Sequence, residues 1–257
     1  MVHYKAYLID LDGTMYRGNE KIPGAAEFIK ELNQEGIPHL FVTNNSATVP
    51  EKVAEKLMKM GIDAREEQIF NSSMAAAKYI RLMEHHAKAY VIGEEGLYSA
   101  LENENIQIVD DNADYVVIGI DRGLTYEKLA KACLQIRNGA KLISTNKDVA
   151  IPTERGMVPG NGAITSVISV STGIDPVFAG KPEPILMEQA IEKLGFSKKD
   201  VLMVGDNYDT DILAGIHSGI DTLMVETGVS TFESIKHYDE QPTYKITDLY
   251  KWKLDRK

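Results

Sequence analysis

Residues 6–14 read AYLIDLDGT, an apolar run that ends at two carboxylates, a glycine and a threonine. Such a run is typical of a buried strand that passes into a turn. Ligands in open α/β sheets bind beyond the carboxyl ends of strands, so we expect Asp10 and Asp12 to face a site. Two close carboxylates repel each other unless a cation or a shared proton relieves them, so the pair indicates metal binding, acid–base chemistry or both. Taken alone, the pair would fit a solvated acidic turn better than a metal or acid–base site, because Asp and Gly are ordinary turn residues.

The composition of the chain is that of a globular protein. Its 257 residues are 44% hydrophobic and 26% charged, enough for one large domain or two smaller ones. The first strand begins without a signal peptide or membrane span before it, which predicts a soluble, cytoplasmic protein that does not bind membranes. The net charge of −10 disfavours nucleic-acid binding. Cys133 is the only cysteine, which excludes a disulfide within the chain and favours a small buried hydrophobe.

Strand-like runs alternate with helical patterns along the whole chain, which predicts an α/β fold with a mostly parallel sheet. The predicted helices include residues 25–35, 51–60 and 184–194, and the predicted strands are residues 6–9, 39–43, 89–92, 115–118, 141–144, 177–179, 201–204 and 221–225. The strand ends that are rich in polar residues fall in two blocks. We therefore predict a core made of residues 1–80 and 176–257, with residues 81–175 as an inserted domain.

Three further strand ends carry polar residues. Thr43-Asn44-Asn45-Ser46 offers hydroxyl and amide groups suited to an anion, Gly180-Lys181-Pro182 offers an ammonium, and residues 205–211 form an acidic loop that leads into a helix. Each has a simpler explanation: a helix entry, a surface charge, and aspartates favoured by a helix dipole. Together with residues 10–14 they supply the parts that metal-assisted phosphoryl transfer requires.

In this order the four motifs resemble those of the haloacid dehalogenase superfamily of phosphohydrolases. The match takes residues 10–14 as the first motif, Thr43 as the second, Lys181 as the third and residues 205–211 as the fourth. The segment between the second and third motifs looks like the α/β cap of the NagD-like subgroup, which includes sugar phosphatases and nitrophenyl-phosphatase-like enzymes. The resemblance thus implies a Rossmann-like parallel-sheet core with an inserted α/β cap domain.

The resemblance, together with the charge balance of phosphoryl transfer, implies a role for each motif residue. Asp10 would be the nucleophile and a Mg²⁺ ligand, and Asp206 and the backbone carbonyl of Asp12 would be further ligands. Asp12 would also act as general acid and then as general base. The remaining assignments are Thr43 and Asn44 as donors to the phosphoryl oxygens, Lys181 as the neutralising charge, Asn207 beside a metal-bound water or the phosphate, and Asp211 as a support for Lys181 or the metal shell.

The inserted domain would exclude water from the first displacement, admit it for the second, and contact the leaving group. Candidate contacts are Asn146, Lys147, Asp148, Thr153, Glu154 and Arg155. Residues 152–156 and 160–162 are explained as well by turns and a hinge that leads back to the core. His85-His86 are adjacent and so do not share a helix face, which favours a surface position over a metal site.

These patterns predict a Mg²⁺-dependent phosphatase that acts on a small phosphorylated metabolite, above all a sugar phosphate. Two alternatives stay open. A phosphomutase or phosphotransferase would pass the phosphoryl group to a sugar hydroxyl, and a phospho-accepting signalling receiver would hold a long-lived phosphoaspartate. The large insertion and Asp12 have no purpose in a receiver. The oligomeric state, including a homo-oligomer, is left open by the sequence.

Overall fold

A computed structural model of the chain describes residues 4–153 and 155–254, so Glu154, one of the predicted leaving-group contacts, lies outside the described residues. The strands are β1 (Ala6–Ile9), β2 (Tyr16–Arg17), β3 (Glu20–Lys21), β4 (His39–Thr43), β5 (Ile69–Asn71), β6 (Lys88–Ile92), β7 (Gln107–Ile108), β8 (Tyr115–Ile118), β9 (Lys141–Ser144), β10 (Ala150–Thr153), β11 (Gly156–Pro159), β12 (Val177–Phe178), β13 (Val201–Gly205), β14 (Asp221–Val225) and β15 (Tyr244–Ile246). The helices are α1 (Ala25–Gln34), α2 (Pro50–Lys59), α3 (Ser72–Met83), α4 (Glu95–Asn103), α5 (Tyr126–Arg137), α6 (Asn161–Thr172), α7 (Pro184–Leu194) and α8 (Leu213–Ser218).

The chain divides into two compact units. The first contains the chain up to Thr43, then Pro50–Phe70, and the chain from Lys181 onward. The second contains Asn44–Val49 and Asn71–Gly180. None of the helices in the described ranges is long and apolar enough to cross a membrane.

The first unit is built on a six-stranded sheet in the order β15-β14-β13-β1-β4-β5. The pairs β1 with β13, β1 with β4, β13 with β14, and β14 with β15 are all parallel. All four residues of β1 are buried, because a parallel sheet has helices on both faces and its inner strands are therefore apolar on both sides. The predicted α/β fold with a parallel sheet is confirmed.

The order of the strands explains where polar strand ends meet. The chain continues from β1 to β4 on one side and reaches β13 on the other, so β1 lies where the strand order reverses, the usual place for a ligand site in such sheets. Ile9 lies beside Phe41 of β4 and Val204 of β13. The residues that follow these three strands therefore reach the same edge of the sheet.

The helices of the first unit agree closely with the amphipathic patterns. α7 spans the predicted residues, α1 ends one residue earlier than predicted, and α2 begins and ends one residue earlier than predicted. α1 places Phe28, Ile29 and Leu32 in the core, at the spacing of one helix face. Burying a side chain of this size contributes about 1.5–3 kcal/mol, so these faces fix the helices against the sheet.

The second unit has its own five-stranded sheet in the order β12-β9-β8-β6-β7, in which the pairs are parallel. Its core includes Ile92, Val116, Ile118 and Ile168. Cys133 is half-buried and packs against this core, as a small apolar side chain does. Of residues 152–156, interpreted from the sequence as a turn or a contact loop, Pro152 and Thr153 belong to β10 and Gly156 to β11, which pair in antiparallel orientation.

Candidate active site

A buried ion-pair cluster lies at the carboxyl end of β1 in the first unit. The Nζ atom of Lys181 donates to Oδ1 of Asp10 at 2.6 Å and to Oδ1 of Asp211 at 2.7 Å. The same ammonium donates to the backbone oxygen of Val42 at 3.1 Å, which ties it to the end of β4. Lys181 is 1% exposed, so its interpretation as a surface charge does not hold. Three segments far apart in the chain thus meet at one cation.

The ammonium of Lys181 is held in its charged form by its neighbours. Burial alone would lower its pKa, but the charges of Asp10 and Asp211 and the hydrogen bonds to them outweigh this effect and raise the pKa. A buried lysine without such partners would lose its proton or destabilise the fold. Its position on the short segment between β12 and α7 is therefore fixed by charge as well as by packing.

Asp206 follows β13 and is fully buried beside this cluster. Its Oδ1 accepts a hydrogen bond from the hydroxyl of Thr14 at 3.1 Å, and its Oδ2 accepts one from the backbone N–H of Val229 at 2.7 Å. A carboxylate has about four acceptor positions, so the two donors leave acceptor capacity on both oxygens. Asp206 is thus oriented by the protein and still able to bind a cation.

The acidic side chains are crowded enough to require a counter-charge. One carboxylate oxygen each of Asp10, Asp206 and Asp211 lies within 4.8 Å of the others. Burial, followed by the charge of Asp211, raises the pKa of Asp10, and the ammonium of Lys181 opposes this. Burial and Asp211 also raise the pKa of Asp206 to about 6. Three carboxylates around one ammonium leave two negative charges, and hard oxygen ligands of this kind suit a divalent cation such as Mg²⁺. The residues present therefore fit a metal ion.

Asp12 has a different environment from Asp10. Its side chain is exposed, and the protein around it still reduces its solvation enough to raise its pKa, while Lys56 and Arg17 act in the opposite direction. The ammonium of Lys56 lies 3.8 Å from the ring centroid of Tyr16, which follows the first motif. A carboxyl whose pKa is raised is suited to carrying a proton, which is what a general acid must do.

The second motif is divided between the two units. Thr43 is buried at the end of β4 in the first unit, one residue beyond the carbonyl that Lys181 contacts. Asn44 belongs to the second unit, where its amide nitrogen donates to both carboxylate oxygens of Asp148 at 3.2 Å. Its backbone oxygen accepts hydrogen bonds from Ser72 and Asn146 at 2.8 Å each. The structure thus gives Asn44 a set of partners that its sequence-based assignment did not include.

The loop after β13 makes one wide turn. Residues Tyr208–Ile212 form a π-helical turn, a local geometry that is frequent at functional sites. The side-chain oxygen of Asn207 accepts a hydrogen bond from the backbone N–H of Asp209 at 3.1 Å, and its own N–H donates to Oδ2 of Asp211 at 3.1 Å. Asn207 and Asp211 therefore hold the turn, and Asp211 also holds Lys181. Asp209 is exposed, as expected of a bystander.

The predicted leaving-group contacts lie in the second unit and have different environments. Asn146 is buried, and its side-chain oxygen accepts a hydrogen bond from the N–H of Asp148 at 3.1 Å. Lys147 and Arg155 are exposed. The hydroxyl of Thr153 donates to the oxygen of Gly156 at 2.8 Å and so closes the hairpin. Asn146 and Thr153 thus have local structural contacts of their own.

The sequence interpretation missed the residues that hold Asp206. Thr14 lies within the first motif itself, and Val229 lies in the loop after β14. The rule that singled out the other motifs, polar residues directly after a strand, applies also to Thr227-Gly228-Val229-Ser230. A single threonine and a single serine after a strand are ordinary loop residues, so the local pattern does not distinguish this segment from other loops.

Comparison with known proteins identifies the family. Residues 7–107 match the family described as haloacid dehalogenase-like hydrolase, and residues 178–252 match one described as HAD-hydrolase-like. The 5′-nucleotidase YutF of Bacillus subtilis is 56% identical over 252 residues, which cover 98% of each chain. An acid sugar phosphatase of Staphylococcus epidermidis is 57% identical over 97% of this chain and 96% of its own.

Solved structures show the same similarity. A mutant of the thermostable p-nitrophenylphosphatase from Bacillus stearothermophilus is 60% identical, with a TM-score of 0.91 over 99% of this chain and 100% of that chain. NagD from Escherichia coli K-12 is 32% identical, with a TM-score of 0.93 over 98% of this chain and 100% of that chain. With these relatives, the protein is a phosphoric monoester hydrolase, and it belongs to the haloacid dehalogenase-like hydrolases of the NagD type.

Proposed function

We propose that this phosphatase is Mg²⁺-dependent and hydrolyses small phosphate monoesters, above all sugar phosphates, through an aspartyl-phosphate intermediate, an acyl phosphate on the side chain of Asp10. The observation that carries the proposal is the ammonium of Lys181 at 2.6 Å from Oδ1 of Asp10, within a buried group of three carboxylates. A phosphate monoester and a carboxylate are both anionic, so attack requires positive charge at the point where they meet. Lys181 supplies part of that charge.

The reaction then takes two displacements. In the first, an oxygen of Asp10 bonds to phosphorus, the bond from phosphorus to the ester oxygen breaks, and Asp12 gives its proton to the departing alcohol. In the second, Asp12 takes a proton from a water molecule whose oxygen attacks phosphorus, and the bond to Asp10 breaks to release phosphate. The raised pKa of Asp12 supports its role in the first step, because a protonated carboxyl is needed there.

A divalent cation would be held by the carboxylates of Asp10 and Asp206 and by the backbone carbonyl of Asp12. When bound, it withdraws charge from the phosphoryl oxygens and so lowers the barrier to attack. Asp206 is suited to this role because its two hydrogen-bond donors fix its orientation. The choice of Mg²⁺ rests on the oxygen-only ligand set.

The remaining motif residues orient the phosphoryl group. Thr43 and Asn44 would donate hydrogen bonds to its oxygens, and Lys181 would balance its charge. Asp211 would keep Lys181 in place, which is supported by their distance of 2.7 Å. Asn207 would contact a metal-bound water or the phosphate in addition to its contact in the loop.

The class of substrate rests on two relatives and the inserted segment. One relative is named an acid sugar phosphatase and another a 5′-nucleotidase, so sugar phosphates are the first candidates and nucleoside 5′-monophosphates the second. We propose that residues 81–175 form a cap that selects the leaving group. The cytoplasmic location stays a prediction from the sequence.

The proposal is tested by a screen of phosphorylated metabolites with and without Mg²⁺, combined with trapping of the intermediate by acid quenching. We expect phosphate release that requires the metal, and acid-stable incorporation of phosphate that is lost in Asp10→Asn. Asp209→Asn is the matched control, because Asp209 is an exposed aspartate near the same site. Unchanged turnover in Asp10→Asn would contradict the nucleophile. Isomer formation in place of free phosphate would indicate a mutase, and a stable phosphoprotein without turnover a receiver.

A further inference from the structure

The carboxylate of Asp206 is held by two donors that come from distant parts of the chain. Thr14 belongs to the loop after β1, and Val229 belongs to the loop after β14. Each donor contacts a different oxygen, so the orientation of the carboxylate depends on the position of one loop relative to the other. Any hydrogen bond that connects the two loops therefore affects the orientation of the Asp206 carboxylate.

The two loops also approach this carboxylate closely at two glycines. A Cβ atom on Gly13 would lie 2.4 Å from Oδ2 of Asp206, and one on Gly228 would lie 1.9 Å from the same oxygen. Gly13 has φ of +94°, a conformation that favours glycine. At these two glycines the backbone itself lies against Asp206, so a small shift of either loop would move the carboxylate.

Thr227 connects the two loops directly. Its hydroxyl donates to the backbone oxygen of Gly13 at 2.7 Å. Gly13 immediately precedes Thr14, and Thr227 lies two residues before Val229, so this one bond joins the segments that carry the two donors. The guanidinium of Arg17 donates to the backbone oxygen of Thr227 and adds a second tie between the same loops.

We propose that Thr227 is a positioning residue for the metal site: its hydrogen bond to Gly13 sets the two donors of Asp206 and so determines how tightly this carboxylate binds a divalent cation. The inference rests on the proposed function, in which Asp206 is a metal ligand. It goes beyond the four motifs, because Thr227 lies outside all of them.

The rest of the loop is secured independently of Thr227. The backbone N–H of Phe232 donates to the Glu226 carboxylate at 2.8 Å, and the N–H of Ser230 donates to the backbone oxygen of Asp206 at 3.2 Å. The hydroxyl of Ser230 accepts a bond from the N–H of Tyr208 at 2.9 Å. Removal of the Thr227 hydroxyl is therefore expected to loosen the site without unfolding the loop.

The test measures metal binding without substrate, by titrating the purified protein with Mn²⁺ and following free Mn²⁺ by electron paramagnetic resonance. Partners that orient metal ligands change affinity by about 10–100-fold when removed, so we expect Thr227→Val to weaken Mn²⁺ binding by at least about tenfold. Thr227→Ser keeps the hydroxyl and is expected to stay within about threefold of the original protein. The half-saturating Mg²⁺ concentration for turnover should rise in parallel.

Thr231→Val is the matched control. Thr231 lies in the same loop, and its hydroxyl accepts a hydrogen bond from the N–H of Ser234 at 3.1 Å, away from Asp206. Thr227→Ala is measured beside Thr227→Val, and melting temperatures in EDTA show whether each variant is folded. Equal Mn²⁺ affinity in a folded Thr227→Val or Thr227→Ala, or equal weakening in Thr231→Val, would overturn the positioning role.

The same titration separates this inference from the proposed function. If the original protein binds Mn²⁺ and Asp206→Asn does not, the metal site stands, and the Thr227 variants alone decide the positioning role. If Asp206→Asn binds as tightly as the original protein, Asp206 is not a metal ligand and the proposed function itself is contradicted.

Discussion

The ammonium of Lys181 lies 2.6 Å from the nucleophile candidate Asp10, although 171 positions separate the two residues in the chain. Both side chains are buried, and burying a charge is costly unless a partner of opposite charge and hydrogen bonds compensate it. The pair is therefore a fixed part of the folded protein. It places a positive charge beside the carboxylate proposed to attack phosphorus.

Replacement of Lys181 by methionine should remove this charge while keeping a side chain of similar length. We expect turnover to fall by about 100-fold or more, because loss of one preorganised charge or donor typically has an effect of this size. Steady-state phosphate release at saturating metal and substrate measures the change.

Lys193→Met is the control for this variant. Lys193 donates to the backbone oxygen of Glu67 at 2.8 Å and lies on α7, outside the acidic cluster. Its turnover should be unchanged. If a folded Lys181→Met variant kept turnover within about threefold of the original protein, the charge-balancing role would be wrong.

Asp12→Asn should affect the two displacements differently according to the leaving group. A nitrophenolate departs as a stable anion, so transfer of the phosphoryl group from it to Asp10 needs little help from an acid. A sugar alcohol is a poorer leaving group and needs the proton of Asp12. We expect phosphate to accumulate on the protein with p-nitrophenyl phosphate, while a sugar phosphate loses about 100-fold or more in the first step.

Rapid acid quenching of single-turnover reactions measures both steps of Asp12→Asn, with Asp209→Asn as the control. Equal losses in the first step for the two substrates would contradict the general-acid assignment. The comparison depends only on the leaving group, so it does not require the natural substrate to be known.

Variants of the pair Asn44 and Asp148 can distinguish a structural role of Asn44 from a catalytic one. Asn44→Asp would place two carboxylates at hydrogen-bond distance, and we expect a loss of about 1–3 kcal/mol in the free energy of unfolding. The double variant Asn44→Asp with Asp148→Asn restores a donor and an acceptor and should recover most of that loss. Urea unfolding of the single and double variants measures the coupling.

The same double variant tests whether Asn44 donates to phosphate. An aspartate at position 44 cannot donate and repels an anion, so stability should return while turnover stays low. Recovery of both would show that Asn44 acts only through Asp148.

The environment of His39 makes the free energy of unfolding depend on pH. Its ring lies at the start of β4, where burial lowers its pKa below the usual 6.5; Arg65 acts in the same direction, and a bond to the oxygen of Ile37 and the charge of Asp63 oppose it. Gln68 fixes which form of the ring fits. The side-chain oxygen of Gln68 accepts a hydrogen bond from the N–H of Arg65, so the side-chain nitrogen of Gln68 is the atom that donates to Nε2 of His39, at 3.0 Å. The neutral ring is therefore the form that fits.

The sign of the effect follows from proton binding. Below about pH 6.5 the unfolded chain binds a proton at His39 that the folded protein binds only at lower pH, so stability falls as pH decreases from about 7. The His39 contribution has a slope of at most about 1.4 kcal/mol per pH unit. In His39→Gln this contribution should disappear, whereas His86→Gln, at an exposed position, should keep it. Urea unfolding at several pH values measures the free energy of unfolding of both variants. Identical dependence of that free energy on pH in the two variants would contradict the prediction.

Much of the fold could be predicted from local patterns. Each of the eight strands proposed from the sequence has a counterpart in the structure, because buried parallel strands are short apolar runs that end at polar residues. The hairpins of β2 with β3 and of β10 with β11 were not predicted as strands, since these segments are short and mostly exposed and carry no clear alternation.

The residue types of the site were also present in the sequence, and the family resemblance named Asp211 as a support for Lys181 or the metal shell, but most of the contacts were not evident. Neither the pairing of Lys181 with both Asp10 and Asp211 nor the two donors of Asp206 follows from spacing along the chain. Asn44 could be assigned to phosphate from its residue type, and only the fold revealed its contact with Asp148.

By itself, the sequence determined the order of strands and helices and which strand ends carry carboxylates, hydroxyls and an ammonium, because these depend on neighbours within a few residues. The tertiary structure alone decided which of these groups touch, how deeply Lys181 is buried, and that Thr227 joins the loops around Asp206. Hydrogen bonds and ion pairs between residues about 200 positions apart depend on the register of the sheet and on loop geometry, which no local pattern contains.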